Sequence, residues 1–470
     1  MKRVVAVACL SLAVAGTCAH LSAAAFTGST STPSNVVTVD KLANYFTVAA
    51  AGAVQPGTST AVASGNVDSL ALDFGTVPSA RTFTSVFRIT NVSGATQTAT
   101  LTLSSVPQVS SAVFASSGSG SATLVAGAST TLTVTTSATV AGRGSGSLRL
   151  GLSGTSWLYR DYSFHLDEAP EAPTAPAAVQ KPAGRLDLSW TASTTVTNLA
   201  GYDLYRSSGG AYTKLNASPL TGTTYADTAT VDGTAYTYKL TAVSSGSPLL
   251  TSLDSSTVSA TADATAPGGP TTIALANGGG NGSAYVNAGN AGSLSISVTL
   301  PAGSLTTDSV TLTVSNGGNS VVTTHAGTAG AGTFTVTGLN VAGLGDGTLT
   351  LSAYSTDVAG NVGATKSVAV TKDTAAPAAP TAAYTDNNNT NADQIAGTAE
   401  ANASITLTKT APAPTTGYST TANGSGAYSV LVFAANGKPP TPIAVSYTIT
   451  ATDAAGNTSG ATVLNFSDTK

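Results

Sequence analysis

Short stretches of this chain alternate apolar and polar residues at a period of two. Leu294-Ser295-Ile296-Ser297-Val298-Thr299-Leu300 is one, and Val310-Thr311-Leu312-Thr313-Val314 is another. Successive side chains on an extended strand point to opposite faces, so each stretch predicts a strand with one face buried and one wet. Clusters of Gly, Asn and Ser separate the stretches and predict turns. The run Trp157 to Leu166 is the most aromatic. As a strand it places Leu158, Tyr162, Phe164 and Leu166 on one face and Trp157, Tyr159, Asp161 and His165 on the other. Trp157 and Tyr159 are thus candidates for an exposed face that stacks on a sugar ring or a partner. The competing reading packs them on the N-terminal segment or the next domain. The scarcity of aromatics favours that one, because cores need them.

Composition sharpens the strand reading. Only three of the 22 acidic residues are Glu (Glu168, Glu171, Glu400), and charged residues make up 9% of the chain. Long helices draw freely on Glu, Lys and Leu, whereas Thr, Val and Tyr favour strands. Hydrophobic residues at 41% are enough to bury, which excludes charge-driven disorder. The 49 glycines follow no three-residue period, which excludes collagen. A net charge of −4 and no window rich in Lys or Arg argue against a nucleic-acid partner.

The N-terminus reads as a leader. Lys2 and Arg3 precede the apolar run Val4 to Ala15, and small residues lead to Ala23-Ala24-Ala25. Cleavage is expected after Ala25, with Ala24 and Ala19 as alternatives. The run is too short to span a bilayer, and no second apolar segment predicts a transmembrane span in the mature chain. Both cysteines, Cys9 and Cys18, fall in the leader. The mature chain is therefore expected to be exported and to fold without disulfides. A lipid anchor on Cys18 is the rival reading, weakened by the poor lipobox Ala15-Gly16-Thr17. The C-terminal NFSDTK carries neither a sorting motif nor a hydrophobic tail, so covalent wall anchoring is not expected.

Length and punctuation predict four domains. The Pro-rich EAPEAPTAP (Glu168 to Pro176) reads as a stiff linker, and DATAP (Asp263 to Pro267) and DTAAP (Asp373 to Pro377) mark two further joints. The predicted divisions are a leader at 1–25 and sandwiches at 26–168, 173–263, 267–373 and 377–470. The second segment carries LDLSW (Leu186 to Trp190), GYDLYR (Gly201 to Arg206) and GTAYTYKLTAV (Gly233 to Val243). These resemble strands B, C and F of a fibronectin type III domain. Trp190, Tyr202 and Leu204 are then expected in its core, with Tyr236 as the corner tyrosine. The third and fourth segments resemble bacterial Ig-like domains, in LSAYSTDVAGNVGA (Leu351 to Ala364), IAGTAEANASITLT (Ile395 to Thr408) and YTITATDAAGNTSGA (Tyr447 to Ala461). LDFGTV (Leu72 to Val77), TFTSVFRITNVSG (Thr82 to Gly94) and LVAGASTTLTV (Leu124 to Val134) resemble an Ig-like sandwich of the major-sperm-protein type. Ahead of it, AAFTGSTSTPSNVVTV (Ala24 to Val39) resembles the start of camelysin-like secreted surface and matrix proteins. Residues Phe26 to Ser64 are too few to bury a core alone and must join a sheet of their own domain or a neighbour's. The expected fold class is all-β: tandem Ig-like and fibronectin type III β-sandwiches in an extended chain.

Little chemistry is encoded. His165 and His325 are isolated along the sequence, His20 lies in or beside the leader, and neither G-x-S-x-G nor H-E-x-x-H occurs. A glycosidase needs two carboxylates across one cleft, and the aspartates here cluster at strand ends and joints. No enzyme activity and no obligatory cofactor are expected. A pair of calcium sites at two joints is the one metal expectation. In an Ig-like sandwich the F–G turn lies at the end where the chain enters. Asp357 should then face the preceding exit at Asp263, and Asp453 the exit at Asp373. With Asn361 and Asn457 these supply the hard oxygens calcium takes, although turn capping is the favoured reading of each Asp. The functional expectation is a secreted or cell-surface, non-catalytic array that spaces or presents an adhesive face toward a cell-surface, matrix or glycan ligand. The alternatives are a carbohydrate-binding or accessory protein of polysaccharide degradation and a self-assembling extracellular fibre subunit.

Overall fold

The computed structural model describes residues 41–326, 332–387, 392–432 and 441–468. The leader, Cys9, Cys18, His20 and the Ala24–Val39 stretch lie outside the described residues. Among the described residues the regular structure is all strand, apart from three single 3-10 turns. No described helix is long and apolar enough to cross a membrane.

The chain divides into two compact units, the first comprising the described residues through Val179, Leu186–Asp227 and Thr234–Thr261. Its first sandwich has one sheet containing Phe46–Ala50, Phe87–Asn91, Ser129–Thr136 and Thr82–Phe83, with Val109–Phe114 joined to Ser129–Thr136. The facing sheet runs Ala63–Ser64, Ala71–Val77, Tyr159–Glu168, Gly142–Leu152, Gln97–Leu103 and Ser121–Leu124. The N-terminal segment thus joins its own sandwich: Phe46–Ala50 pairs antiparallel with Phe87–Asn91, Phe46 opposite Asn91. Phe46 and Val48 point into the core, where an edge strand with alternate apolar residues has its lowest free energy.

Tyr159–Glu168 follows the predicted parity. Tyr162, Phe164 and Leu166 are buried, as is Leu158 just before the strand, while Asp161 is exposed. Glu168 departs from expectation. It is the last residue of the strand rather than the first of a linker, and it is 1% exposed. Thr174–Gln180, which begins within the expected linker's last three residues and runs past them, is itself a strand. The linker is shorter than its Pro-rich composition implied, because Pro suits edge strands whose N–H needs no partner.

The same unit holds a smaller sandwich. Leu199–Ser207 and Ala235–Ser244 form the centre of one sheet, and Leu186–Thr191 with Thr224–Asp227 lie in the other. Trp190 and Tyr202 meet edge to face at 5.7 Å beside the buried Leu204. Tyr238, wholly buried, donates its hydroxyl to Asp227, and Asp227 is paired in turn with Arg206. Arg206 also lies over the ring of Tyr236.

The second unit comprises Gln180–Arg185, Thr228–Gly233 and the residues from Ala262 onward. It contains two further sheet pairs. In the first, Leu294–Leu300 and Gly332–Leu339 face Ser309–Ser315, Gly347–Thr356 and Lys366–Lys372. Leu294, Ile296, Val298 and Leu300 are buried on one side, as the alternation predicted. In the second, Gln394–Thr398 and Ala427–Leu431 face Ser404–Ala411, Ile443–Thr452 and Thr462–Asp468 around Ile405, Leu407, Tyr447 and Ile449.

Candidate functional site

Two turns of the second unit are built alike and end on the same kind of contact. The strand Gly347–Thr356 runs into Asp357, whose Oδ1 accepts the backbone N–H of Asn361 at 2.8 Å. Gly360 turns back between them at φ +90, a conformation that glycine adopts without strain. Asp357 Oδ2 accepts from the Asn361 side-chain amide at 2.9 Å. This carboxylate orients the Asn side chain, which reaches out of its own sandwich. Asn361 Oδ1 accepts the backbone N–H of Ala183 at 2.9 Å, and its Nδ2 donates to the carbonyl of Asp263 at 3.0 Å. A backbone N–H only donates and a carbonyl only accepts, so these partners settle which way the amide faces.

The strand Ile443–Thr452 repeats the pattern at Asp453. Its Oδ1 holds the N–H of Asn457 at 2.8 Å and its Oδ2 holds the amide at 2.9 Å. Asn457 Oδ1 accepts from Ala288 N at 3.0 Å, and Nδ2 donates to the Asp373 carbonyl at 2.9 Å. Asn287 and Asn281 add bonds to the carbonyls of Ala455 and Ala454. Asn361 and Asn457 are both buried. The receiving ends are also alike. Asp232 caps Ala264 N and Thr265 Oγ1, and Asp346 caps the N and Oγ1 of Thr374. The backbone hydrogen bond from Ala264 holds the Asp232 carboxyl below its usual range, and the hydrogen bond from Lys372 does the same for Asp346.

Asp357 is therefore brought to Asp263, and Asp453 to Asp373, through an asparagine in each case. Calcium takes six to eight oxygens, and the oxygens at these joints are engaged with N–H groups. The carboxylate oxygens of Asp357 and Asp453 already accept N–H groups, as do the carbonyls of Asp263 and Asp373. The remaining carboxylates cap their own turns: Asp263 Oδ1 holds Thr265 N and Asp373 Oδ1 holds Ala375 N. Among the described residues no three His, Cys, Asp or Glu are grouped to hold a metal ion. The asparagines had been candidate ligands through their carbonyl oxygens. They act through both ends of the amide, with partners 178 and 98 residues away for Asn361.

The aromatic candidates separate. Trp157 packs against the core of the first sandwich. Tyr159 stays on the outer face with the Arg149 guanidinium 3.8 Å above its ring. Asp161 holds Arg149 by two bonds of 2.8 Å, and the same hydrogen bonding keeps the Asp161 carboxyl below its usual range. His165, isolated in sequence, stands between Asp73 at 3.0 Å and Asp167 at 3.6 Å, with Arg143 on Asp167. His325 stacks on Phe334 at 4.5 Å.

No family model matches the chain. Among curated proteins it is similar to the amylopullulanase of Thermoanaerobacterium saccharolyticum, 34% identical over 94 residues, which are 19% of this chain and 7% of that enzyme. Among solved structures it is similar to a fibronectin type III-like protein from Clostridium thermocellum. The identity there is 34%, over 19% of this chain and 91% of the other, with a TM-score of 0.17. The described chain is a tandem array of β-sandwiches, and about a fifth of it is similar in sequence to a fibronectin type III-like domain. The array is also similar to a tetra-tandem repeat from the extending region of a large adhesion protein, 19% identical over 82% of this chain and 95% of that one, with a TM-score of 0.24.

Proposed function

We propose that the array is a non-catalytic extracellular or cell-surface spacer, and that the two sheet pairs of its second unit are held in a set orientation. The recurrence of the Asp-x3-Asn turn carries this reading. Two turns 96 residues apart in sequence each reach out of their own sheet pair with one amide, and each bonds one N–H and one carbonyl elsewhere in the second unit. A chain of free beads needs no such contact, whereas a spacer gains stiffness from it. Outward Ser and Thr in place of charges suit a surface that holds partners close, consistent with 9% charged residues. Spin labels test the reading directly, since no cysteine lies beyond Cys18. Labels at Ser320→Cys and Ser467→Cys, both exposed, should give a narrow distance distribution that Asn457→Ala broadens. A distribution already broad in the parent would reduce the array to loosely tethered modules.

A second reading draws on the 34% identity with part of an amylopullulanase: an accessory module of polysaccharide-degrading systems. Retention of the whole chain on starch or pullulan, with elution by soluble glucan, would favour it over a plain spacer.

A further inference from the structure

We propose that the first joint of the array is a proton-held latch. The carboxyl of Glu168, while neutral, closes the end of the first sandwich, and its ionisation releases the second sandwich.

The argument begins with what docks there. The segment between the strands Ser129–Thr136 and Gly142–Leu152 receives the second sandwich. Ala138 O accepts Thr195 Oγ1 at 3.0 Å, and Thr139 O accepts the N–H groups of Val196 and Thr197. Ala141 N donates to Thr197 O, and Ala141 O accepts Asn198 Nδ2 at 2.9 Å. Glu168 stands at both ends of this docking segment. Thr136, just before it, donates its hydroxyl to Glu168 Oε1 at 3.3 Å, and Gly142, just after it, is the strand partner of Glu168.

Among the described residues no cation is in contact with the Glu168 carboxyl. Its Oε2 is buried with no hydrogen-bond partner, and so is Gln108 Oε1, whose residue reaches Ala141 O through Nε2 at the same end. Both are acceptor oxygens without a donor, and for Glu168 a proton removes the charge that such a site cannot solvate. The groups that face it are few. Thr136 comes from one sheet, uncharged Gly142 and Val77 from the neighbouring strands, Arg81 from the segment bonded to Thr136, and Glu171 from the chain that follows. Arg81 is exposed and favours the anion from a distance, and Glu171 disfavours it. Glu171 is itself tied across the joint, its carboxylate to Ala80 N and its backbone to Thr195 and Ser193. Burial dominates and pushes the Glu168 carboxyl up to about 8. An anion formed there has only the Thr136 hydroxyl and the distant Arg81 to offset its burial, and it draws water to the Thr136 end of the docking segment.

The chain has only three glutamates, so uniform labelling of their side-chain carboxyl carbons gives three resonances to titrate in the full protein. One should titrate near neutral to alkaline pH and vanish in Glu168→Gln. Thr136→Val, which removes the hydroxyl that favours the anion, should move it higher still. Spin labels at Ser163→Cys and Ser259→Cys read the joint: narrow distances at about pH 6, broad at about pH 10, and narrow at both in Glu168→Gln. Three glutamates titrating together in the ordinary carboxylate range would overturn the latch. So would a joint that stays narrow throughout, or one that opens equally in Glu168→Gln.

Discussion

Replacing Asn361 by Ala removes three hydrogen bonds and little else. They are the bond from Ala183 N at 2.9 Å, the bond to Asp263 O at 3.0 Å and the bond to the Asp357 carboxylate at 2.9 Å. A bond of this kind contributes about 1 kcal/mol net, and one to a charged group somewhat more. A polar group left buried without a partner costs about 1–3 kcal/mol. Ala183 is exposed, so water replaces the lost acceptor there, and the lower end of the range applies. The expected loss is about 2–3 kcal/mol, confined to the joint and the sandwich that carries the turn. Asn457→Ala should cost a similar amount at the next joint, because its bonds match within 0.1 Å. Denaturant melts followed by hydrogen exchange measure both: exchange should speed up at Ala183 in the first variant and at Ala288 in the second. The double variant should lose the sum to within about 0.5 kcal/mol, as distant sites do. If either variant melted like the parent and kept Ala183 or Ala288 protected, these amide bonds would contribute nothing, and the spacer reading would lose its basis.

Other outcomes follow from the same geometry. Trp190→Ala should destabilise the fibronectin-like sandwich by about 3–5 kcal/mol, read by calorimetry, since a buried ring against Tyr202 is lost. Trp157→Ala with Tyr159→Ala should lower the melting temperature of the first sandwich, one through its core and one through the Arg149 stack; unchanged melting with lost surface binding would return the pair to a ligand face. Chelation, or calcium at millimolar concentration, should leave melting unchanged, and calorimetric binding abolished by Asp357→Ala would restore the ion to the joint. Glu168 titrates at 4.5 when unfolded and at about 8 when folded, so the stability of its neutral form is complete below the lower value and is lost as pH rises through the upper. The slope is about 1.4 kcal/mol per pH unit in that window, for a total of about 3–5 kcal/mol, and Glu168→Gln should flatten it.

Much of this protein follows from local pattern. The parity of Leu158, Tyr162, Phe164 and Leu166, and of Leu294 through Leu300, decided which side of each strand is buried, because a strand has only two faces and water rejects one of them. Trp190, Tyr202 and Leu204 were legible as core for the same reason. The placement of a turn bearing Asp and Asn opposite an earlier Asp was also legible, from the handedness and order of a sandwich. The function of that turn was not. Carboxylates near a joint read as calcium ligands or, more simply, as caps, and only the positions of Ala183 N and Ala288 N show that an amide bonds outward from each turn. Trp157 and Tyr159 look equivalent along the chain, yet one packs inward because it precedes the strand rather than lying on it. Glu168 is the sharpest case. Its neighbours in sequence are prolines and alanines that read as linker. Its neighbours in space are Thr136 and Gly142, brought there by pairing across a sheet. Hydrophobic alternation acts between adjacent residues and survives in the sequence, whereas the partners of a buried polar atom come from distant segments and exist only once the sheets have closed.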